Sequence, residues 1–214
     1  MTNSWLVGAV GGIVVSGALA IAGLERGVPL LTRIFKPIAT LLLLVIVGWP
    51  QSSFARLVVV GILLSLVGDV ALLSERENAF IVGLVGFLAA HVVYIVANLG
   101  LAVWSPRLVV VAVIVLGATT VLLRYVRPPV RALRIAVIVY GAALSAMVIS
   151  AWAMIGGRLA GAPFAAVGAT LFYVSDSSLA LNRFHRPIPH VAYLALGVYW
   201  LGQMGIAMAA RGAL

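Results

Sequence analysis

The sequence predicts an all-α protein, a polytopic transmembrane bundle of eight helices, and three observations predict it. Of 214 residues, 64% are hydrophobic and only 9% charged. An ordinary soluble domain carries about 25% charged residues, so these are too few to cover a water-soluble surface. Second, eight apolar runs approach or reach the roughly 20 residues that carry a helix across about 30 Å of hydrocarbon. Third, all nine prolines fall between the runs or at their starts, where a residue without an N–H does least harm. The length suits one membrane domain, residues 1–214.

The first run is 4–22. Ala18-Leu19-Ala20 within it resembles a signal cleavage site. No Lys or Arg precedes the run, and a signal peptide needs a basic leading region, so it reads as a retained helix. Gly8 and Gly12 form a GxxxG pair, read as close helix packing rather than a dimer interface. The second run, 36–49, is the shortest. The others are 56–73, 79–98, 107–123, 131–155, 163–182 and 190–210.

The net charge of +9 does not point to nucleic acid, because the arginines stand singly or in small groups between apolar runs. That is how loops facing an anionic leaflet look. Ten basic residues collect on one side: Arg26, Arg33, Lys36, Arg76, Arg124, Arg127, Arg131, Arg134, Arg183 and Arg186. Four collect on the other: Arg56, Arg107, Arg158 and Arg211. The richer side is expected in the cytoplasm, which puts both termini outside. Trp5, Trp49 and Trp104 then fall near the outer interface. Arginine outnumbers lysine 13 to 1, and with the compact loops this suggests a bacterial inner membrane. The oligomeric state stays open.

Three of the five acidic residues, Glu25, Glu75 and Glu77, read as solvated loop charge. Asp69 and Asp176 lie inside apolar runs, and an ionisable residue within a span is a functional-site hypothesis by default. They are expected at similar depth, roughly 6–9 Å inside the cytoplasmic ends of the third and seventh helices. They stand 107 residues apart, half the chain, which suggests a parallel 4+4 internal repeat. The only basic residue near their level is Lys36. His91, Tyr94 and Asn98 share one face of the fourth helix, Tyr199 and Gln203 are one turn apart in the eighth, and Tyr173 is one turn from Asp176. Without water these groups need partners, and the economical arrangement turns them toward one polar cavity with the aspartates. The plainer alternative is interhelical hydrogen bonding. The chain has no cysteine and three histidines and lacks metal-ligand spacing such as HExxH, so no metal or other cofactor is expected.

Several pieces match a known pattern in order. Phe35-Lys36-Pro37 opens the second helix and Gly68-Asp69-Val70-Ala71-Leu72-Leu73 closes the third. Phe87, His91 and Tyr94 follow in the fourth. Ser175-Asp176-Ser177 and Leu181-Asn182-Arg183-Phe184 end the seventh, and Tyr199-Trp200-Leu201-Gly202-Gln203 lies in the eighth. Across residues 35–203 the chain resembles the YhhN-like family of membrane proteins, whose characterised members are lysoplasmalogenases. The fifth and sixth helices carry no matching motif. The resemblance implies eight membrane helices and hydrolysis of the vinyl ether of a lysoplasmalogen to a fatty aldehyde and a glycerophospho-alcohol. It puts the acidic site on Asp69 and Asp176. Lys36, His91, Tyr94, Tyr173, Ser175, Asn182, Tyr199 and Gln203 are the expected substrate-binding residues, and the partners are a lysophospholipid and the bilayer.

A vinyl ether resists base and yields to acid: protonation of its β-carbon gives an oxocarbenium ion, water adds, and the hemiacetal collapses. Two carboxyl groups divide such labour in glycoside hydrolysis, one holding a proton and one stabilising the cation. The sequence does not say which aspartate is the acid. Lys36 and Arg183 lie at the level where a lysolipid phosphate would sit, although Arg183 also fits ordinary positive-inside charge. Other readings stay open here. Paired membrane acids also serve proton-coupled transporters, though no span is broken by a mid-helix proline, as transporter binding sites often are. An aspartyl intramembrane protease is disfavoured, because Leu66-Val67-Gly68 precedes Asp69 and no Tyr directly precedes Asp176. A purely structural membrane protein is the remaining reading.

Overall fold

The computed structural model describes residues 4–212. Among these, the regular elements are eight helices: α1 (Ser4–Glu25), α2 (Pro29–Val47), α3 (Ser53–Ala71), α4 (Glu77–Leu99), α5 (Arg107–Tyr125), α6 (Arg131–Ala153), α7 (Ala162–Phe184) and α8 (Val191–Arg211). All eight are long and apolar enough to span a bilayer, and the protein is a multi-pass integral membrane protein. At 19–23 residues each they measure roughly 29–35 Å, matching the hydrocarbon thickness.

Local chemistry sets most of the boundaries. Ser52 caps α3, its side-chain oxygen accepting from the Ala55 N–H. Pro163 sits in the first turn of α7. The second helix departs from expectation. It starts at Pro29, seven residues before the expected residue 36, and runs through Pro37. Pro29 supplies the prolyl start expected of Pro37, and Pro37 becomes a mid-helix proline. Without an N–H it leaves the Arg33 carbonyl unpaired within the helix, a defect membrane helices tolerate when neighbours compensate. The extension carries Lys36 into the helix body, where it is buried.

Neighbouring helices pair as α1 with α2, α3 with α4 and α7 with α8; α4 also lies on α6, and α2 bridges α3 and α8. Small residues set the closest approaches, since apolar burial gives helices little drive to associate in lipid. A Cβ on Gly168 of α7 would lie 2.5 Å from the Gly202 carbonyl oxygen of α8, and one on Gly86 of α4 would lie 3.1 Å from the Gly68 nitrogen of α3. The Gly8/Gly12 pair does not act as a unit: nothing comes within 4 Å of a Cβ at Gly8, whereas one at Gly12 would meet Leu42 at 3.0 Å. The outermost helix, α5, buries only Thr119 and packs on α6 and α7. Its outward valines and leucines, such as Val113 and Leu116, are more than half exposed, and the lipid is their solvent.

Candidate active site

The two intramembrane carboxyls meet at one cavity of about 150 Å³, lined by residues of α2 through α8. Its wall is overwhelmingly apolar, and its polar members include Lys36, Asp69, Tyr140, Asp176 and Tyr199. The matching depth expected of the aspartates does not follow from their helices. Asp69 is two residues before the end of α3 and Asp176 eight before the end of α7, because α7 extends further past the site. Packing of the bundle, not register, brings them to one space.

Asp69 is 1% exposed and saturated with donors. Its Oδ2 accepts from the Thr40 hydroxyl at 2.6 Å and from the Tyr199 hydroxyl at 2.7 Å. Its Oδ1 lies 3.3 Å from the Lys36 ammonium, which also donates to the Asp69 backbone carbonyl at 3.3 Å. Lys36 and Thr40 are one turn apart on α2, so one helix face supplies two of the donors. Hydroxyl and ammonium donors thus reach both oxygens of the carboxyl group.

Asp176 has different neighbours. Its Oδ2 accepts a hydrogen bond from the Tyr140 hydroxyl, and its side chain is 13% exposed. The His91 Nε2 is 3.9 Å from that oxygen, beyond hydrogen-bond length. Fully buried, His91 leaves both ring nitrogens without a partner and is held edge-on by Tyr140 and Phe172, at centroid distances of 5.0 and 4.9 Å. Ser177 lines the same cavity with a buried hydroxyl that has no partner.

The remaining expected residues divide. Ser175 lines the cavity, but its hydroxyl donates to the Ala195 carbonyl at 2.9 Å and ties α7 to α8. Tyr94 donates to Gln203 Oε1 at 2.8 Å, and Gln203 Nε2 donates to Tyr199 at 3.4 Å; the three form a buried chain behind Asp69. Tyr173 bonds Thr119 of α5 at 2.7 Å. Asn182 accepts from the Ile188 N–H at 2.8 Å and shapes the loop into α8. Asn98, on the stripe of His91 and Tyr94, donates to Ser150 at 3.1 Å. Thus the fourth-helix stripe divides: Tyr94 and Asn98 bond separate partners, and His91 faces Asp176 without a bond. Thr40 and Tyr140 are not singled out by the sequence, and Ser177 enters there only as part of the Ser175-Asp176-Ser177 motif. Thr40 could have been found by its one-turn spacing from Lys36, and Tyr140 as a lone phenol in an apolar span. Among the described residues no three His, Cys, Asp or Glu side chains converge as a metal would require.

A membrane bundle holding two intramembrane carboxyls on one apolar cavity is the class of protein this fold and site define. The YhhN family model matches residues 31–210, and the chain belongs to the YhhN family. It is similar to human lysoplasmalogenase TMEM86A, with 33% identity over 163 residues, covering 73% of this chain and 65% of the human protein. Human lysoplasmalogenase TMEM86B is 29% identical over 162 residues, 75% of this chain and 66% of that one. Bovine lysoplasmalogenase TMEM86A is 32% identical over 164 residues, 73% and 65%. The matched stretch therefore spans just under two thirds of each relative's own length. No solved structure matches the chain.

Proposed function

We infer that this protein hydrolyses the vinyl ether bond of lysoplasmalogens, releasing a fatty aldehyde and a glycerophospho-alcohol. The observation that carries the reading is the contrast between two carboxyls on one apolar cavity, one bonded by an ammonium and two hydroxyls, the other by a single phenol. Membership of the YhhN family and the names of the relatives support the same substrate class.

In this reading Asp176 is the acid and Asp69 the ionised partner. Asp176 is the one chosen as acid because no cation is hydrogen-bonded to it and its single donor is a phenol. It gives that proton to the β-carbon of the vinyl ether, and the ether oxygen shares the resulting positive charge as an oxocarbenium ion. The Asp69 carboxylate, fixed by Lys36, Thr40 and Tyr199, stabilises that cation without having to reorganise. Water adds to the cationic carbon and its proton returns to Asp176. The hemiacetal then breaks its carbon–oxygen bond, forming the aldehyde while a proton moves to the departing alkoxide. Tyr140 donates to Asp176 in both states.

We read the chain as lying in a cell membrane with both termini outside. The charge count supports this even after Lys36 is set aside as buried with Asp69: nine basic residues then stand against four. Glycine-mediated contacts in both α3/α4 and α7/α8 support the 4+4 repeat.

The test is aldehyde release from a purified lysoplasmalogen by detergent-solubilised protein. Wild type is expected to release aldehyde, and Asp69→Asn and Asp176→Asn are not. No release from folded, monodisperse wild type would sink this reading.

A further inference from the structure

The cavity has a basic mouth that the two carboxyls do not use. Arg183, in the last turn of α7, lines it, with its guanidinium carbon 3.7 Å from the Phe80 ring centroid. Among the described residues no carboxylate lies within ion-pair distance of Arg183; the ion pair involving Lys or Arg is Lys36 with Asp69. Lys36, the other basic residue lining the cavity, is therefore committed. A second crevice, lined by Arg124, Arg127 and Arg134, shares Leu123, Val126 and Val137 with the first, so three more basic residues lie beside the mouth.

We propose that Arg183 is a phosphate subsite, binding the headgroup phosphate of a one-chain lipid whose vinyl ether lies at Asp176. This rests on the proposed hydrolysis and deepens it. Two helices fix the spacing. Arg183 follows Asp176 by seven residues, just under two turns, so both project from one face of α7, about 10 Å apart along its axis. The guanidinium reaches further, to Phe80, which precedes His91 by eleven residues on α4, or about 16 Å of rise. His91 marks the Asp176 level. A lysoplasmalogen needs about 8–9 Å from its β-carbon to phosphorus when extended, at ordinary single-bond lengths. Adding about 3 Å for the acid-to-carbon approach and about 3 Å for each N–H···O contact gives roughly 15 Å. Stacking on Phe80 leaves the edge N–H groups of the guanidinium free, and that planar edge pairs with phosphate bidentately. The alkyl chain then continues away from the mouth, along the apolar wall.

The experiment measures binding with a lipid that cannot react, so that it stands apart from the hydrolysis. Native mass spectrometry in detergent would compare a saturated 1-O-alkyl lysophospholipid with the 1-O-alkylglycerol that lacks its phosphate. Wild type is expected to bind the phospholipid at least tenfold more tightly. Arg183→Ala should remove most of that preference, and Arg183→Lys should restore part of it, a monodentate cation replacing a bidentate one. An unchanged preference in Arg183→Ala overturns the subsite, as does an equal loss for both lipids. If alkylglycerol plus free inorganic phosphate binds as tightly as the phospholipid, the site takes a soluble anion and the tethered spacing is wrong. Failure of the hydrolysis itself would appear separately, as absence of aldehyde from a vinyl ether substrate by a protein that still binds the saturated lipid through Arg183.

Discussion

Asp69 and Asp176 are the same residue type on the same cavity, yet their surroundings are built to different ends. Asp69 sits where α2, α3 and α8 meet and receives a donor set from α2 and α8: Lys36 and Thr40 from one, Tyr199 from the other. Asp176 faces α4 and α6, which offer one phenol and an imidazole too distant to bond. The first carboxyl is bonded by an ammonium and two hydroxyls. The second has one hydroxyl donor, and the proposed mechanism makes it the proton donor. Both lie in apolar surroundings, so burial alone does not separate them; the number and charge of the donors does.

The largest expected effect breaks this contrast outright. Asp176→Asn should lower turnover on the order of 10²–10⁴-fold, the usual worth of a positioned proton donor, with little change in melting temperature. Asp69→Asn should also remove turnover, but it should unfold earlier, because it strands the Lys36 ammonium; orphaning one member of a buried pair costs about 3–5 kcal/mol. Adding Lys36→Met to Asp69→Asn should recover stability without recovering turnover. Thermal unfolding and aldehyde release on the same samples check all three. Equal melting temperatures for the two Asn variants would mean the carboxyls are not differently held.

A smaller effect is expected one layer out. Tyr140→Phe removes the hydrogen bond to the Asp176 carboxylate that forms as its proton is given up; bonds to charged groups are worth about 1.5–3 kcal/mol, so turnover should fall roughly 10–100-fold. Tyr199→Phe removes one of three donors to Asp69 and should cost less than about tenfold. If Tyr199→Phe proved the more damaging in steady-state kinetics, the roles of the two aspartates would have to be exchanged. The smallest effect is expected far from both. Gly117→Ala on lipid-facing α5 meets nothing within 4 Å and should leave unfolding within about 0.5 kcal/mol of wild type. In contrast, Gly168→Ala would drive a methyl against the α8 backbone and should destabilise measurably in the same assay.

The eight spans, the class of protein and the two aspartates were legible because each rests on a one-dimensional property. Twenty apolar residues in a row can satisfy their backbone in lipid only as a helix, and a carboxyl inside such a run is conspicuous wherever the helix packs. The start of α2 was not legible. Pro29 and Pro37 are both acceptable first-turn prolines by local rule, and only packing, which buries Lys36 and Thr40 against Asp69, shows that the helix runs on through the second. The polar stripe of α4 was legible as a stripe but not as a set of destinations, because one face of a helix can meet several neighbours: His91 points at Asp176, Tyr94 bonds Gln203, and Asn98 bonds Ser150. Thr40 and Tyr140 look like unremarkable residues in apolar runs until the bundle closes. The sequence by itself determined that two carboxyls would be buried in a membrane. The tertiary structure decided which of them receives the Lys36 ammonium and the Tyr199 hydroxyl, because those contacts lie 33 and 130 residues apart along the chain, which no local pattern encodes.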